Sequence, residues 1–235
     1  MKKFLASLAI GFLMIGMAVS ANATPVTFFG EDLGGGEYVR LSTWSNASTA
    51  QANFYSNLVG ISTYDFETPG NIASFNSGTL TATISGGTDP VYQGAGTNGV
   101  GRYPISGTYF WQSTNAFSIS FSAPISAFGF FGVDIGDFDG RVTLGLAGGG
   151  TSTLTVPNST GIAGGSVLYF GFYDLTDTYT SIAFGNTAAG TDFFAFDDFT
   201  IGTIENVRPP EVPEPATMVL FGLGLLGLAG VSRKK

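Results

Sequence analysis

Between residues 78 and 202, short apolar runs with a period of two recur, each bounded by clusters of Gly, Asn, Asp and Pro. Leu80, Ala82 and Ile84 alternate with Thr and Ser, as do Phe117, Ile119 and Phe121 in "AFSISF" and Val142, Leu144 and Leu146 in "RVTLGL". The runs "SVLYFGFY", "TSIAF" and "FFAFDDFTIG" follow, rich in β-branched and aromatic residues. In a strand this alternation puts the apolar set on one face. Strands at roughly ten-residue spacing, with no helical pattern between them, predict antiparallel sheets stacked as a β-sandwich or jelly roll. The 35 glycines supply its turns and bends.

One segment departs from this pattern. Ser48 and Gln51 fit a capping box, Ala50, Phe54 and Leu58 recur every four residues, and Gly60 is placed to end the turn. The spacing predicts a helix over residues 48–59, covering an open end of the sandwich.

The two ends read differently from the body. Lys2 and Lys3, an apolar stretch from Phe4 to Val19 and the small-x-small run Ala21-Asn22-Ala23 form a signal peptide over residues 1–23. The sandwich domain is placed at 24–207 and a Pro-rich linker at 208–215. A charge-free apolar segment at 216–232 is read as a transmembrane helix, and a basic tail at 233–235 closes the chain. At about 1.5 Å per residue the apolar segment spans a little less than a full hydrocarbon core. Arg233, Lys234 and Lys235 stay on the cytoplasmic side, so the body before the helix lies outside.

What the body lacks excludes much chemistry. The chain has no histidine and no cysteine, which removes Ser-His-Asp and Cys-His catalysis and the usual His/Cys zinc sites. Without disulfides, stability rests on the core or on bound ions. Residues 24–210 contain no lysine, and only Arg40, Arg102, Arg141 and Arg208 stand against an excess of carboxylates, so nucleic acid is excluded as a partner by repulsion.

Val212-Pro213-Glu214-Pro215-Ala216-Thr217, the apolar segment and the basic end, in that order, resemble the PEP-CTERM sorting signal. That resemblance implies a bacterium with an outer membrane and recognition at Pro213, Glu214 and Pro215 by an exosortase-type membrane enzyme. It further implies removal of the tail, and export to the cell surface or medium linked to extracellular polysaccharide. Both prolines stop helix from extending backwards and leave Glu214 extended and accessible. "TYDFET" at 63–68, "GRYPISG" at 101–107 and "FAFDDFTIG" at 194–202 resemble the variable sandwich domains that many such proteins carry.

In jelly-roll carbohydrate-binding domains, which the body resembles in outline, the first and last strands lie side by side and often hold a calcium between acidic residues. The resemblance implies a site from Asp65 or Glu67 with Asp197 or Asp198; exposure at a strand edge is the alternative. Strand alternation lets only one of Asp197 and Asp198 point inward. Tyr109 and Trp111, between two strands, are candidates to stack on a sugar ring, but core packing is the favoured reading, because large aromatics usually bury in sandwich folds. In "DIGDFDG", Asp134, Asp137 and Asp139 before Gly140 have the crowding that wraps a hard cation, but they equally make a polar turn in which Asp bonds its own backbone, and the turn is the reading adopted. "GAGTNG" at 94–99 matches a dinucleotide fingerprint in letters, yet no helix follows it.

The main functional expectation is therefore a non-catalytic envelope or matrix β-sandwich that binds polysaccharide. The alternative is a glycoside-active enzyme drawing two carboxylates from Asp134, Asp137, Asp139 and Asp174.

Overall fold

The structure, a computed structural model, describes residues 24–68, 74–77, 80–86, 90–113, 116–148, 151–188 and 192–208. Among them thirteen strands form two antiparallel sheets. The strands are β1 (Val26–Asp32), β2 (Ser62–Tyr64), β3 (Ser74–Ser77), β4 (Leu80–Ser85), β5 (Val91–Tyr92), β6 (Tyr109–Ser113) and β7 (Phe117–Ile125). They continue as β8 (Ala127–Val133), β9 (Val142–Gly148), β10 (Thr151–Thr155), β11 (Val167–Tyr173), β12 (Tyr179–Asn186) and β13 (Phe194–Gly202). One sheet runs β1-β11-β8-β13-β6-β5, with β2 also on β13; the other runs β10-β9-β12-β7-β4-β3. The mainly β, antiparallel sandwich with one helix is thus the fold that the alternation predicts.

The alternating strands β4, β7 and β9 bury Leu80, Ala82, Ile84, Phe117, Ile119, Phe121, Val142, Leu144 and Leu146 between the sheets. Opposite them stand Phe128 and Phe130 of β8, Leu168, Phe170 and Phe172 of β11, and Phe196 and Phe199 of β13. This core is largely aromatic: Phe117 stacks on Phe184 at 4.1 Å, and Phe130 meets Phe184 edge-on at 5.4 Å. Such pairs contribute about 0.5–1.5 kcal/mol each beyond their buried area.

A second core lies on the other face of the larger sheet. There Phe131, Val133, Val167 and Tyr169 pack under the helix α1 (Ser45–Ser56), which contributes Ala47, Ala50 and Phe54. Glycines admit the helix: a Cβ on Gly30 would strike the Asn46 carbonyl, and one on Gly171 would meet Phe54 at 3.0 Å. The helix therefore lies across the outer face of the sheet over β1, β11 and β8, and not at an open end of the sandwich as the sequence suggests.

Its start also differs from expectation. Ser48 is interior, with its N–H bonded to the Trp44 carbonyl, and Gln51 donates to Tyr55 Oη, so the Ser48–Gln51 capping box does not form. The cap comes from the preceding strand: Asp32 accepts from Asn46 N at 3.2 Å and Ala47 N at 2.9 Å. A carboxylate there also opposes the positive end of the helix dipole. Residues 1–23 and 209–235, with the expected signal peptide, sorting motif and apolar helix, lie outside the described residues. Among the described residues no helix is long and apolar enough to cross a membrane.

Candidate functional site

The "YDFE" and "FDDF" segments do meet. β2 pairs with β13 through Phe199↔Tyr64, although β1, the first strand, pairs with β11 instead. Strand alternation breaks at a bulge between Asp197 and Thr200, where Asp198 takes φ +49°. An extra residue in one strand re-aims side chains. As a result Asp197 and Asp198 turn toward the same loop, which strict alternation forbids.

That loop is residues 104–108. Asp197 Oδ2 accepts from Ile105 N at 2.8 Å and Ser106 N at 3.1 Å, and Asp198 Oδ1 accepts from Ser106 Oγ at 2.7 Å. Glu67 Oε1 accepts from Thr108 N and Tyr109 N, both at 2.7 Å, and its Oε2 from Thr108 Oγ1 at 3.1 Å. Asp65 sits one step further out and accepts from Glu67 N at 3.2 Å. Between the clasped amides, Gly107 has φ +52°, and a Cβ there would run into the Glu67 carboxylate. Burial first, and the adjacent Asp198 charge second, push Asp197 well above the ordinary carboxylate range, against the opposing pull of its N–H donors. Among the described residues no three acidic side chains group so as to hold a metal ion.

Phe66, between the acidic residues of "YDFE", has φ +58° and is fully buried. For a bulky side chain that backbone is costly. Its ring is held edge-on to Tyr64 and Phe199, at 4.9 and 5.1 Å, and stacked on Trp111 at 6.1 Å. Trp111, a candidate sugar platform for which the sequence favours core packing, lies on strand β6 in the inter-sheet core, 4% exposed, so neither ring face is open to a ligand. Tyr109, on the same strand, is half-buried and meets Tyr92 edge-on at 5.3 Å; Tyr92 is 63% exposed.

A second acidic group forms where three strand ends converge. Val133 at the end of β8 lies beside Val167 at the start of β11 and Ala195 near the start of β13, so Asp134, Gly165 and Asp192 come together. Asp134 accepts from Gly165 N at 2.8 Å and faces Arg102 Nη1 at 3.5 Å, a separation too long to offset burial; desolvation raises its pKa to about 7. Asp137 bonds its own neighbour's amide, Phe138 N, at 2.9 Å, as an Asp in a turn does. Asp192 and Arg102, both buried, are participants that no sequence spacing marks. Asp139 is exposed, with φ +60°.

Asp174 is engaged elsewhere. It accepts from Thr176 N, Thr176 Oγ1 and Asp177 N through one oxygen and from Tyr179 Oη through the other. Burial pushes this carboxyl up, but those bonds prevail and hold it below its usual value. Asp134 and Asp174 flank opposite ends of β8 and β11. At about 3.3 Å per residue a seven-residue strand keeps them some 20 Å apart, beyond any acid–base pair of a glycosidase.

The described body is an antiparallel β-sandwich whose acidic side chains clasp its own loops. Residues 211–234 match the PEP-CTERM protein-sorting motif, so the chain carries that signal. The motif implies exosortase processing, export and surface association. No curated protein matches the sequence. Among solved structures, the CBM22-1 xylan-binding domain of Paenibacillus barcinonensis Xyn10C is similar at 12% identity, covering 63% of this chain and 94% of its own, with TM-score 0.35. A family 29 carbohydrate-binding module follows at 13% identity, 64% and 98% coverage and TM-score 0.36. The K2 cleaved adhesin domain of Lys-gingipain has 12% identity, 61% and 98% coverage and TM-score 0.36. Likeness at this level does not bear on what this chain binds.

Proposed function

We propose that this chain is an exported β-sandwich protein of the cell envelope or extracellular matrix that acts by binding polysaccharide and not by catalysis. The observation that carries the reading is the sorting motif at residues 211–234, which supports export and surface association of the body. Two features of the body support it. Its surface is acidic and free of lysine over residues 24–210, which suits neutral glycans and repels phosphate polymers. Tyr92 presents an exposed ring at the edge of the larger sheet, braced by Tyr109, and an exposed, braced aromatic is the side chain that stacks on a pyranose. Tyr92 thereby takes the part for which Trp111 is a candidate in the sequence, while Tyr109 keeps a supporting part.

The test is retardation of the purified protein in gels cast with the producing cell's own extracellular polysaccharide. The parent is expected to be retarded, and Tyr92→Ala to run at least threefold less retarded with an unchanged melting temperature. Equal migration of both proteins with and without polysaccharide rejects the binding reading.

A further inference from the structure

We propose that the end of the body from which the chain runs on to its tail is a lipid-facing surface. A row of exposed aliphatic side chains, Val26, Leu175, Ile204 and Val59, rests there on the headgroups of a bilayer while the tail is still attached.

The row follows from the register of the larger sheet. Val26 at the start of β1 lies opposite Tyr173 at the end of β11, Tyr173 lies opposite Ala127 at the start of β8, and Ala127 pairs with Gly202 at the end of β13. The turns beyond these strand ends continue the line. Asp174 N donates to the Ser126 carbonyl at 2.8 Å, Ser126 N to the Gly202 carbonyl at 2.9 Å, and Val59 N to the Asn206 carbonyl at 2.8 Å. Leu175, Ile204 and Val59 therefore stand on neighbouring turns beside Val26, and the four are 40–44% exposed. With strands about 4.8 Å apart, β1, β11, β8 and β13 spread the row over about 15 Å. Single exposed aliphatics are ordinary on a surface, whereas a row of them at one end marks an interaction site.

The course of the chain points to the partner. Arg208, where the described chain stops, is fixed at this same end, its N–H on the Asn57 carbonyl and its Nε on the Leu58 carbonyl. Residues 209–215 lead from it to the charge-free segment at 216–232, and seven residues reach at most about 25 Å. With that segment read as a membrane anchor, a reading on which this docking rests, no other end of the body lies so close to the bilayer. Aliphatic side chains gain free energy when their apolar area enters the boundary between headgroups and acyl chains. The charges beside the row select the lipid. Asp177 and Glu205 are exposed next to Leu175 and Ile204, and Arg208 follows at the end, so zwitterionic headgroups fit while an anionic surface is repelled by the acidic body. The opposite end lies about 20 Å away along the seven residues of β8, and there Tyr38 and Phe138 are exposed on loops remote from Arg208.

The experiment uses the tailed chain, purified from membranes of a host without the processing enzyme and placed in phosphatidylcholine vesicles. The chain has no cysteine, so single labels can be introduced. A fluorophore is carried by Val26→Cys, Leu175→Cys or Ile204→Cys on the row and by Tyr38→Cys or Phe138→Cys at the other end, and is quenched by a nitroxide on the lipid headgroup. Labels on the row are expected to be quenched at least threefold more than labels at the other end. Leu175→Asp, added to the Val26→Cys chain, is expected to halve the quenching there with the melting temperature unchanged. A chain that does not float with the vesicles overturns the anchor reading and this docking together. A chain that floats but is quenched equally at both ends, or whose quenching Leu175→Asp leaves unmoved, overturns the docking alone, because the tether then holds the body without contact. Energy transfer between labelled Leu175→Cys copies that persists in detergent also overturns it, since the row then meets a second copy of the chain.

Discussion

At the scale of residues, the acidic side chains of this body earn their place by accepting hydrogen bonds from backbone. Glu67 takes Thr108 N and Tyr109 N on one oxygen, and Asp197 takes Ile105 N and Ser106 N on one of its own. A carboxylate receiving several N–H donors replaces the hydration lost on burial, and removing it leaves those donors orphaned. Glu67→Gln preserves a carbonyl-type acceptor and is expected to cost about 1 kcal/mol, whereas Glu67→Ala is expected to cost about 2–3 kcal/mol, read from urea midpoints at constant slope. Gly107→Ala is expected to lose about 1–3 kcal/mol, since its backbone is left-handed and its Cβ would enter the Glu67 carboxylate. Calcium tests the alternative use of the same oxygens. With N–H donors already directed at Glu67 and Asp197, we propose that they act as acceptors for the loop and not as ligands, so calcium added to metal-stripped protein is expected to leave the melting temperature unmoved. A rise of several degrees that Asp197→Asn abolishes would assign the clasp to the ion.

Elements show why some of this was legible in the sequence and some was not. β4, β7 and β9 have one buried face, so alternation displays them directly. β8 is buried along its whole length because the aromatic core lies on one side and α1 on the other, and a strand covered twice has no period of two. The helix was legible through Ala50 and Phe54, both buried, but neither end was: its cap is Asp32 on another element, and it stops at Ser56, so Leu58, counted within 48–59, lies beyond it and bridges to Val207. Phe54 is the contact through which α1 holds the sheet, against Phe28, Tyr169 and the flat surface of Gly171. Phe54→Ala is expected to cost about 3–5 kcal/mol, because the glycines beneath it cannot fill the space. Protection of α1 amides from hydrogen exchange should fall further than that of β7 and β9, which belong to the other sheet. The clasp was half legible: the resemblance to jelly-roll domains implies that "YDFE" meets "FDDF", while the bulge that turns both Asp197 and Asp198 to Ser106 exists only once the strands are paired. Nothing in the spacing links Arg102 to Asp134 or to the Phe193 carbonyl, which come together only in the folded chain.

For the whole molecule, function depends on how a folded body is joined to a signal that lies outside it. The described chain closes on itself near its end: Val207 bridges to Leu58, and Arg208 N donates to the Asn57 carbonyl beside the end of α1. The body holds no helix long and apolar enough to cross a membrane among its described residues. We propose that retention at the membrane rests on the apolar segment at 216–232 and release on a cut close to Glu214. Glu214→Ala leaves that apolar segment and its basic end untouched while removing the charged centre of the matched motif. The variant is expected to stay in the membrane fraction at the mass of the tailed form, with the melting temperature of the body unchanged, while the parent is found outside the cell without its tail. Fractionation followed by mass measurement of both proteins decides the matter: equal release of variant and parent would mean that residues 216–232 serve as an ordinary anchor, cut or shed by a route that does not read Pro213-Glu214-Pro215.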